Sequence, residues 1–365
     1  MTGRTATSGD ASAGAPLVSI VVAARNEEAH IEACLDALLA QEYPRDQLEI
    51  LVLDGRSSDR TRETAASYAD TDDRVIVLDN PGRIAATAFN LGIRAARGEY
   101  VGVMSAHAVP AADYVARAVR ALQETGAWAV GGKIDRQWHT PFQRAVALAT
   151  SSPFGVGNAA HNYASEAQVA ETVFPGMWPR DVFERVGWFD ASLVRNQDDE
   201  FSYRIREAGG VVWYDPTIRV AYEPRATPWS LFSQYRQYGF WRVRVVEMHP
   251  RALRLRQLVP AAWLLAVAIS ALGVVFHNRL RILAVPSVGG YLAVMSAAAI
   301  RVGGLRQDGG LLIAAFVTMH AGYGFGMLQG LVAAGMRRVA RGRRDSNRGR
   351  TLSDPLPAAG DNLFE

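Results

Sequence analysis

One cysteine in 365 residues, Cys34, removes any disulfide within the chain and any thiolate zinc centre. It falls within a helical repeat of apolar residues and is expected as a small core residue. The first strand-like run ends in Arg25-Asn26-Glu27 without a glycine, so no dinucleotide-binding turn opens the chain, and a Walker-type phosphate loop is missing throughout. Residues 155–160 have a loose Gly-x-Gly-x-x-Ala spacing but follow no strand-like run. Acidic residues almost vanish from 258 to 335, where three long apolar stretches lie. The first 15 residues, rich in Ala, Ser, Thr and Gly, have no apolar centre and read as a disordered tail rather than a secretory leader. The folded part is therefore expected on the cytoplasmic side. Nearly all of the 39 basic residues are arginine, and many flank the apolar stretches. With a formal net charge of only +3, that placement favours a membrane surface over nucleic acid as partner.

What is present begins with "LVSIVVAARNEE", an apolar run of the kind a buried parallel strand shows, followed by a helix carrying Ile31, Leu35, Leu38 and Leu39 at helical spacing. "LEILVLDGRSSDRT" reads as a second buried strand ending at Asp54, then a turn and a helix capped around Asp59. "RVIVL", the helix "GRIAATAFNLGIRAARG" and the strand "EYVGVM" complete a β-α-β-α-β-α-β order. This is an α/β fold with a doubly wound sheet, whose ligand groups belong at the carboxyl ends of the strands. The residues there are Asn26, Glu27, Asp54, Arg83 and His107. The alternative for Asn26 and Glu27 is capping of the helix over 28–40, and for Arg83 a plain surface charge.

Further on, Asp198, Asp199 and Glu200 are packed together near Arg195, Arg204 and Arg206. Phe201, Ile205 and Ala208 space out a helix there, ended by Gly209-Gly210. The helix dipole and the arginines hold such carboxylates ionised, which suits a proton acceptor, although an acidic helix start alone is equally a solvated cap.

In order along residues 16–245, "SIVVAARNEE", "ILVLDGRSSDRT", "AFNLGIRAARGEYV", "SAHAVP", "FPGMW" and "GWFDASLVRNQDDEFSYRIREAGG" resemble the family-2 inverting glycosyltransferases of GT-A fold, nearest to the ExoA-like (succinoglycan-type) branch. The resemblance implies that Asp54 takes the edge of the donor base, that Asn26 and Glu27 frame base and ribose, and that Arg83 meets the diphosphate. Ser105 and His107 occupy the positions of the family's Asp-x-Asp metal element. His107 is thus the one metal ligand implied, for Mg or Mn, and the serine is a departure that leaves a poor oxygen-ligand set. Gly176 and Trp178 fall on the acceptor-pocket segment, with Trp178 read either as a stacking surface or as a core aromatic. Asp198 aligns with the catalytic base, Gln197 replacing a glutamate beside it, with Asp199 in support and Glu200 and Arg204 as a supporting i,i+4 pair. Gln237, Trp241 and Arg242 match loosely the element that closes over donor and acceptor.

The expected organisation is a disordered tail (1–15), a GT-A domain (16–227), an amphipathic interfacial segment with aromatics at headgroup level (228–257), two or three transmembrane helices (258–336) and a basic disordered tail (337–365). The middle apolar stretch, with Pro286, Gly289 and Gly290, reads equally as a buried core helix. The activity expected is transfer of a sugar, with inversion, from a nucleoside-diphosphate sugar to a lipid-linked saccharide or other hydroxyl acceptor in envelope or exopolysaccharide synthesis. A multi-pass protein of the cell membrane with its catalytic domain facing the cytoplasm would do this. The alternatives are a polyprenyl-phosphate sugar synthase, and a catalytically impaired sugar-nucleotide-binding or assembly subunit.

Overall fold

A computed structural model describes residues 14–156, 162–276, 285–302 and 309–348. Three βα units open it: β1 (Val18–Ala24), α1 (Ile31–Leu39), β2 (Leu48–Asp54), α2 (Thr61–Thr71), β3 (Val75–Asp79) and α3 (Ala85–Ala95), leading into β4 (Tyr100–Ser105). All four strands are parallel, in the order β3-β2-β1-β4. The register sets Ala24 opposite Asp54, Asp54 opposite Asp79 and Ala23 opposite Ser105, so these strand ends share one edge. Every residue of β2 is buried, because helices cover both faces of the sheet, and this explains the unbroken Leu/Ile/Val runs. Each such side chain contributes about 1.5–3 kcal/mol by leaving water.

Beyond β4 the sheet becomes mixed. The remaining elements are β5 (Val109–Pro110), α4 (Tyr114–Thr125), β6 (Ala129–Arg136), α5 (Pro141–Thr150), α6 (Pro153–Val156), β7 (Gln168–Val169), β8 (Gly176–Pro179), α7 (Val182–Val186), α8 (Gln197–Glu207) and β9 (Val212–Tyr222). β8 lies antiparallel between β4 and β6, β6 runs parallel to β9, and β9 pairs antiparallel with β5 and β7. The doubly wound reading therefore holds for the first four strands, and the short antiparallel β8 joins them to β6 and β9, which run in the same direction as β4.

Four further helices follow: α9 (Pro228–Met248), α10 (Val259–Phe276), α11 (Tyr291–Val302) and α12 (Gly309–Arg348). Two helical segments, Leu255–Leu272 and Gly309–Ala340, each with mean hydropathy 1.6, are long and apolar enough to cross a membrane by length and composition. Among the described residues the middle stretch consists of a π-helical turn (Val285–Gly290) that runs directly into the 12-residue α11. The turn holds Pro286, Gly289 and Gly290. α12 continues to Arg348 rather than stopping before the basic tail, in keeping with the helix propensity of its Arg and Ala residues.

The packing of α9 and α12 differs from the expectation of an interfacial helix beside separate spans. Leu312, Ala315, Phe316 and Met319 of α12 form one core cluster with Ala145, Val146 and Ala149 of α5 and Leu231 of α9. Farther along, a Cβ on Gly322, Gly326 or Gly330 would meet the carbonyl oxygens of Phe232, Arg236 and Phe240 at 2.7, 1.9 and 2.9 Å. The three glycines, four apart on one face, let the two backbones approach as small residues do between membrane helices. One face of α12 is thereby bound to the α/β domain, while Trp229 of α9 remains 74% exposed.

Candidate active site

A cavity of about 1410 Å³ opens at the carboxyl ends of β1, β4, β6 and β9. The start of α8 and the middle of α9 close one side, and α10, α11 and α12 continue the wall away from the sheet. Of the sequence candidates, Glu27, Arg83, Ser105, His107, Asp198, Asp199, Gln237 and Arg242 line it.

At the β1 end, the Glu27 N–H donates to Thr61 Oγ1 at 2.7 Å, while its carboxylate reaches His107 Nδ1 at 2.8 Å and His30 Nδ1 at 3.2 Å. Burial pushes the Glu27 carboxyl up, but the hydrogen bond and charge of His107, with His30 and Arg225, prevail and hold it below the ordinary range. An ionised carboxylate only accepts, so His107 donates from Nδ1 and turns its Nε2 edge away from Glu27. Ser105 ends β4 at the cavity wall. Among the described residues no three His, Cys, Asp or Glu side chains gather to hold a metal. One imidazole and a hydroxyl do not fit a protein-held Mg or Mn, which require several oxygen ligands.

At the α8 end, Asn196 takes a left-handed turn (φ 62°), tolerable for asparagine, and launches the helix with its three acids in the first turn. The bond from Asn196 Nδ2 to Tyr238 O (3.1 Å), that from Arg195 Nε to Gln237 Oε1 (2.9 Å) and the Asp199–Arg242 ion pair tie this turn to α9. Asp198 is left facing the cavity. Burial raises its carboxyl to about 6 despite the charges of Arg242 and Arg195. The expectation that dipole and arginines would depress it is thus reversed, because desolvation outweighs them. A carboxylate with that value is half ionised near pH 6 and accepts a proton better than an ordinary aspartate. Glu200 points inward instead, 2% exposed, held by Arg204 at 2.6 and 2.8 Å and by His249 at 2.8 Å.

Several candidates stand elsewhere. Trp178 is fully buried within Phe183, Phe189 and Phe201, at ring-centroid distances of 5.9–6.0 Å, so it is a core aromatic and not an acceptor surface. Gly176 serves that packing, since a Cβ there would lie 2.6 Å from the Trp178 ring. β8 is a central strand, and strand alternation sends its tryptophan into the core. Phe174 and Pro175, just before it, line the cavity instead. Trp241 lies against Phe240 and outside the wall. Asn26 caps the loop after β2, its side chain accepting from Ser58 N at 2.9 Å. Asp54 ends β2 with its carboxylate buried, loosely held by Ser57 N at 3.3 and 3.4 Å and by Arg62 at 3.4 Å. Both sit beside the wall rather than on it.

The structure also adds residues. Tyr235 and Tyr238, read from sequence as headgroup aromatics, line the cavity, as do Arg25, Arg136, Arg225 and Arg256. Arg136 was recognisable in principle, because "AVGGKIDR" is a strand ending in a polar residue at the same sheet edge as Ser105.

A mixed α/β sheet with a polar cavity across its strand ends is an architecture suited to binding a ligand there. Residues 19–178 match Glycosyl transferase family 2. The chain is 34% identical over 245 residues to the succinoglycan biosynthesis protein ExoA of Rhizobium meliloti, covering 67% of this chain and 74% of that one. It is 28% identical over 230 residues to a dolichyl N-acetyl-alpha-D-glucosaminyl phosphate 3-beta-D-2,3-diacetamido-2,3-dideoxy-beta-D-glucuronosyltransferase of Methanococcus voltae, covering 61% and 71%. Among solved structures, the mannosyltransferase PcManGT of Pyrobaculum calidifontis, in complex with GDP-Man and Mn2+, superposes over 88% of each chain with TM-score 0.57 at 21% identity, a likeness of fold. The chain belongs to glycosyltransferase family 2, and its fold is GT-A-like.

Proposed function

We propose that this glycosyltransferase moves a sugar with inversion from a nucleoside-diphosphate donor to a hydroxyl of a lipid-linked saccharide, in envelope or exopolysaccharide synthesis. The observation that carries the reading is Asp198: a cavity-facing carboxylate raised by burial to about 6, at the head of α8. In this reading the nucleotide lies at the ends of β1 and β2, against Glu27 on the cavity wall, with Asn26 and Asp54 just behind it. Asp198 takes the acceptor proton as that oxygen bonds to the sugar C1, and the bond from C1 to the diphosphate breaks on the opposite face. The nucleoside diphosphate leaves with the electron pair. Because the protein offers a poor ligand set for Mg or Mn, the negative charge of the leaving group is met by cavity arginines, Arg25 and Arg83, which follow β1 and β3.

A base of this kind favours a hydroxyl acceptor over the polyprenyl-phosphate alternative, whose phosphate nucleophile arrives already ionised. It also disfavours an inactive subunit, since burying a carboxylate without need costs stability. The two apolar helices support membrane association by length and composition, and in this reading the catalytic domain faces the cytoplasm. The test is incubation of purified protein with radiolabelled UDP- and GDP-sugars and a membrane lipid extract. Label moving into the organic phase supports the reading. Label moving only into water-soluble products, with every donor, refutes the lipid-linked acceptor.

A further inference from the structure

The cavity is not uniform in chemistry. Toward the sheet it is walled by arginines and carboxylates, whereas toward the helices it is walled by Trp263, Tyr291, Val294, Met295 and Met319. Trp263 and Tyr291 stack there with centroids 4.1 Å apart, and Tyr291 Oη meets His320 Nδ1 at 2.7 Å, so the aromatic lining is fixed in place. Arg136 stands between the two regions. It ends β6 beside the polar strand ends, with Tyr235 of α9 close enough to act on its charge, and Val146 and Met319 line the same cavity.

The guanidinium of Arg136 is bonded to neutral groups: Ser151 Oγ at 3.1 Å, the Asn162 side chain, and the carbonyl oxygens of Ile134 and Asn162 at 3.4 and 3.5 Å. Among the described residues no carboxylate comes within ion-pair distance; neighbouring Asp135 is taken by Arg219 at 2.5 Å. Two other cavity arginines differ in this respect, Arg242 being paired with Asp199 and Arg256 with Glu171 at 2.9 Å, while Arg195 is bonded to Gln237. Burial works against the Arg136 cation, yet an arginine does not give up its proton in a protein. A half-buried cation without a carboxylate partner among the described residues, at the mouth of an apolar channel, is complementary to an anion carried on a hydrocarbon chain.

We infer that Arg136 binds the phosphate or diphosphate of a lipid-linked acceptor whose chain lies along Trp263, Tyr291, Val294 and Met319. This deepens the lipid-linked acceptor reading and rests on it, but binding is separable from transfer. The anion would fix the lipid at the junction and leave its saccharide to extend toward Asp198.

The test is calorimetry on detergent-solubilised full-length protein with farnesyl diphosphate, inorganic diphosphate and farnesol, and in parallel with UDP and GDP. The expected result is that farnesyl diphosphate binds more tightly than either fragment. Arg136→Gln should weaken it by about 10- to 100-fold, the worth of a charged hydrogen-bonded contact. Arg136→Lys should recover part of that loss, and the affinity for UDP or GDP should not change. Val294→Trp, which fills the apolar arm from an exposed position and keeps the cation, should abolish the preference for farnesyl over inorganic diphosphate. Equal binding of farnesyl diphosphate by unmodified protein and Arg136→Gln would overturn the assignment, as would equal affinities for all three probes. A matching loss of UDP or GDP affinity in Arg136→Gln would move Arg136 to the donor site and equally overturn it. If Arg136→Gln fails to fold, an unchanged farnesyl preference in Val294→Trp overturns the proposal by itself. Transfer of label into lipid with no role for Arg136 would leave the acceptor reading standing and this site refuted.

Discussion

Gly326→Ala isolates the contact that joins α12 to the catalytic domain. The added Cβ would sit 1.9 Å from the Arg236 carbonyl oxygen and 2.7 Å from the Arg236 carbonyl carbon, against an ordinary contact limit near 3.4 Å. Both obstacles are backbone, so no rotamer change relieves them, and α9 and α12 must separate by roughly 1 Å or more along that line. Overpacking of this kind costs about 1–3 kcal/mol, and parting two helices places the cost in the upper half of that range. Replacing a helical glycine by alanine returns about 1 kcal/mol, so the net destabilisation should be about 1–2 kcal/mol. Gly335→Ala, in the same helix with nothing within 4 Å of its Cβ, should collect only the propensity gain and be stabilised by up to about 1 kcal/mol. Thermal unfolding of the two variants in one detergent compares them directly, and the shifts should have opposite signs. Because α9 carries Gln237 to Arg195 and Arg242 to Asp199, Gly326→Ala should also lower transferase activity. Equal midpoints for the two variants would refute the close packing of α9 on α12.

Other outcomes follow from the site. The Asp198 carboxyl, raised to about 6, must be deprotonated to act, so kcat/KM should be level above about pH 7 and fall about tenfold per unit below pH 6, provided donor binding is constant. A profile flat to pH 5 would contradict this. Ser105→Asp places a new negative charge at the end of β4; if arginines alone meet the diphosphate, donor affinity measured in a chelator should fall, whereas tighter binding on addition of Mn would show that a metal belongs there. Glu200→Ala strands the half-buried Arg204 and should cost about 3–5 kcal/mol in denaturant unfolding, while a loss below 1 kcal/mol would show that the pair is dispensable.

The sequence made the first half of the fold legible because β1, β2 and β4 are covered on both faces, which writes their burial as apolar runs. β8 was harder to read. It is four residues long, and nothing local shows that Gly176 exists to admit the Trp178 ring, so a core tryptophan resembled a binding surface. The acids of α8 were visible, but not the sign of the Asp198 shift, which depends on how α9 encloses it from more than forty residues away. Likewise the aromatics of α9 have the composition of an interfacial helix. Only the glycines at 322, 326 and 330 disclose that its inner side meets another helix, and their partner is set by tertiary packing.

The most direct measurement for the central claim is the transfer rate of Asp198→Asn with its donor affinity determined alongside. Asparagine keeps the shape and one acceptor oxygen but takes up no proton, so turnover to a hydroxyl acceptor should fall by about 10²–10⁴-fold while UDP or GDP affinity stays within about twofold. Undiminished transfer by Asp198→Asn would contradict the account and require a different base.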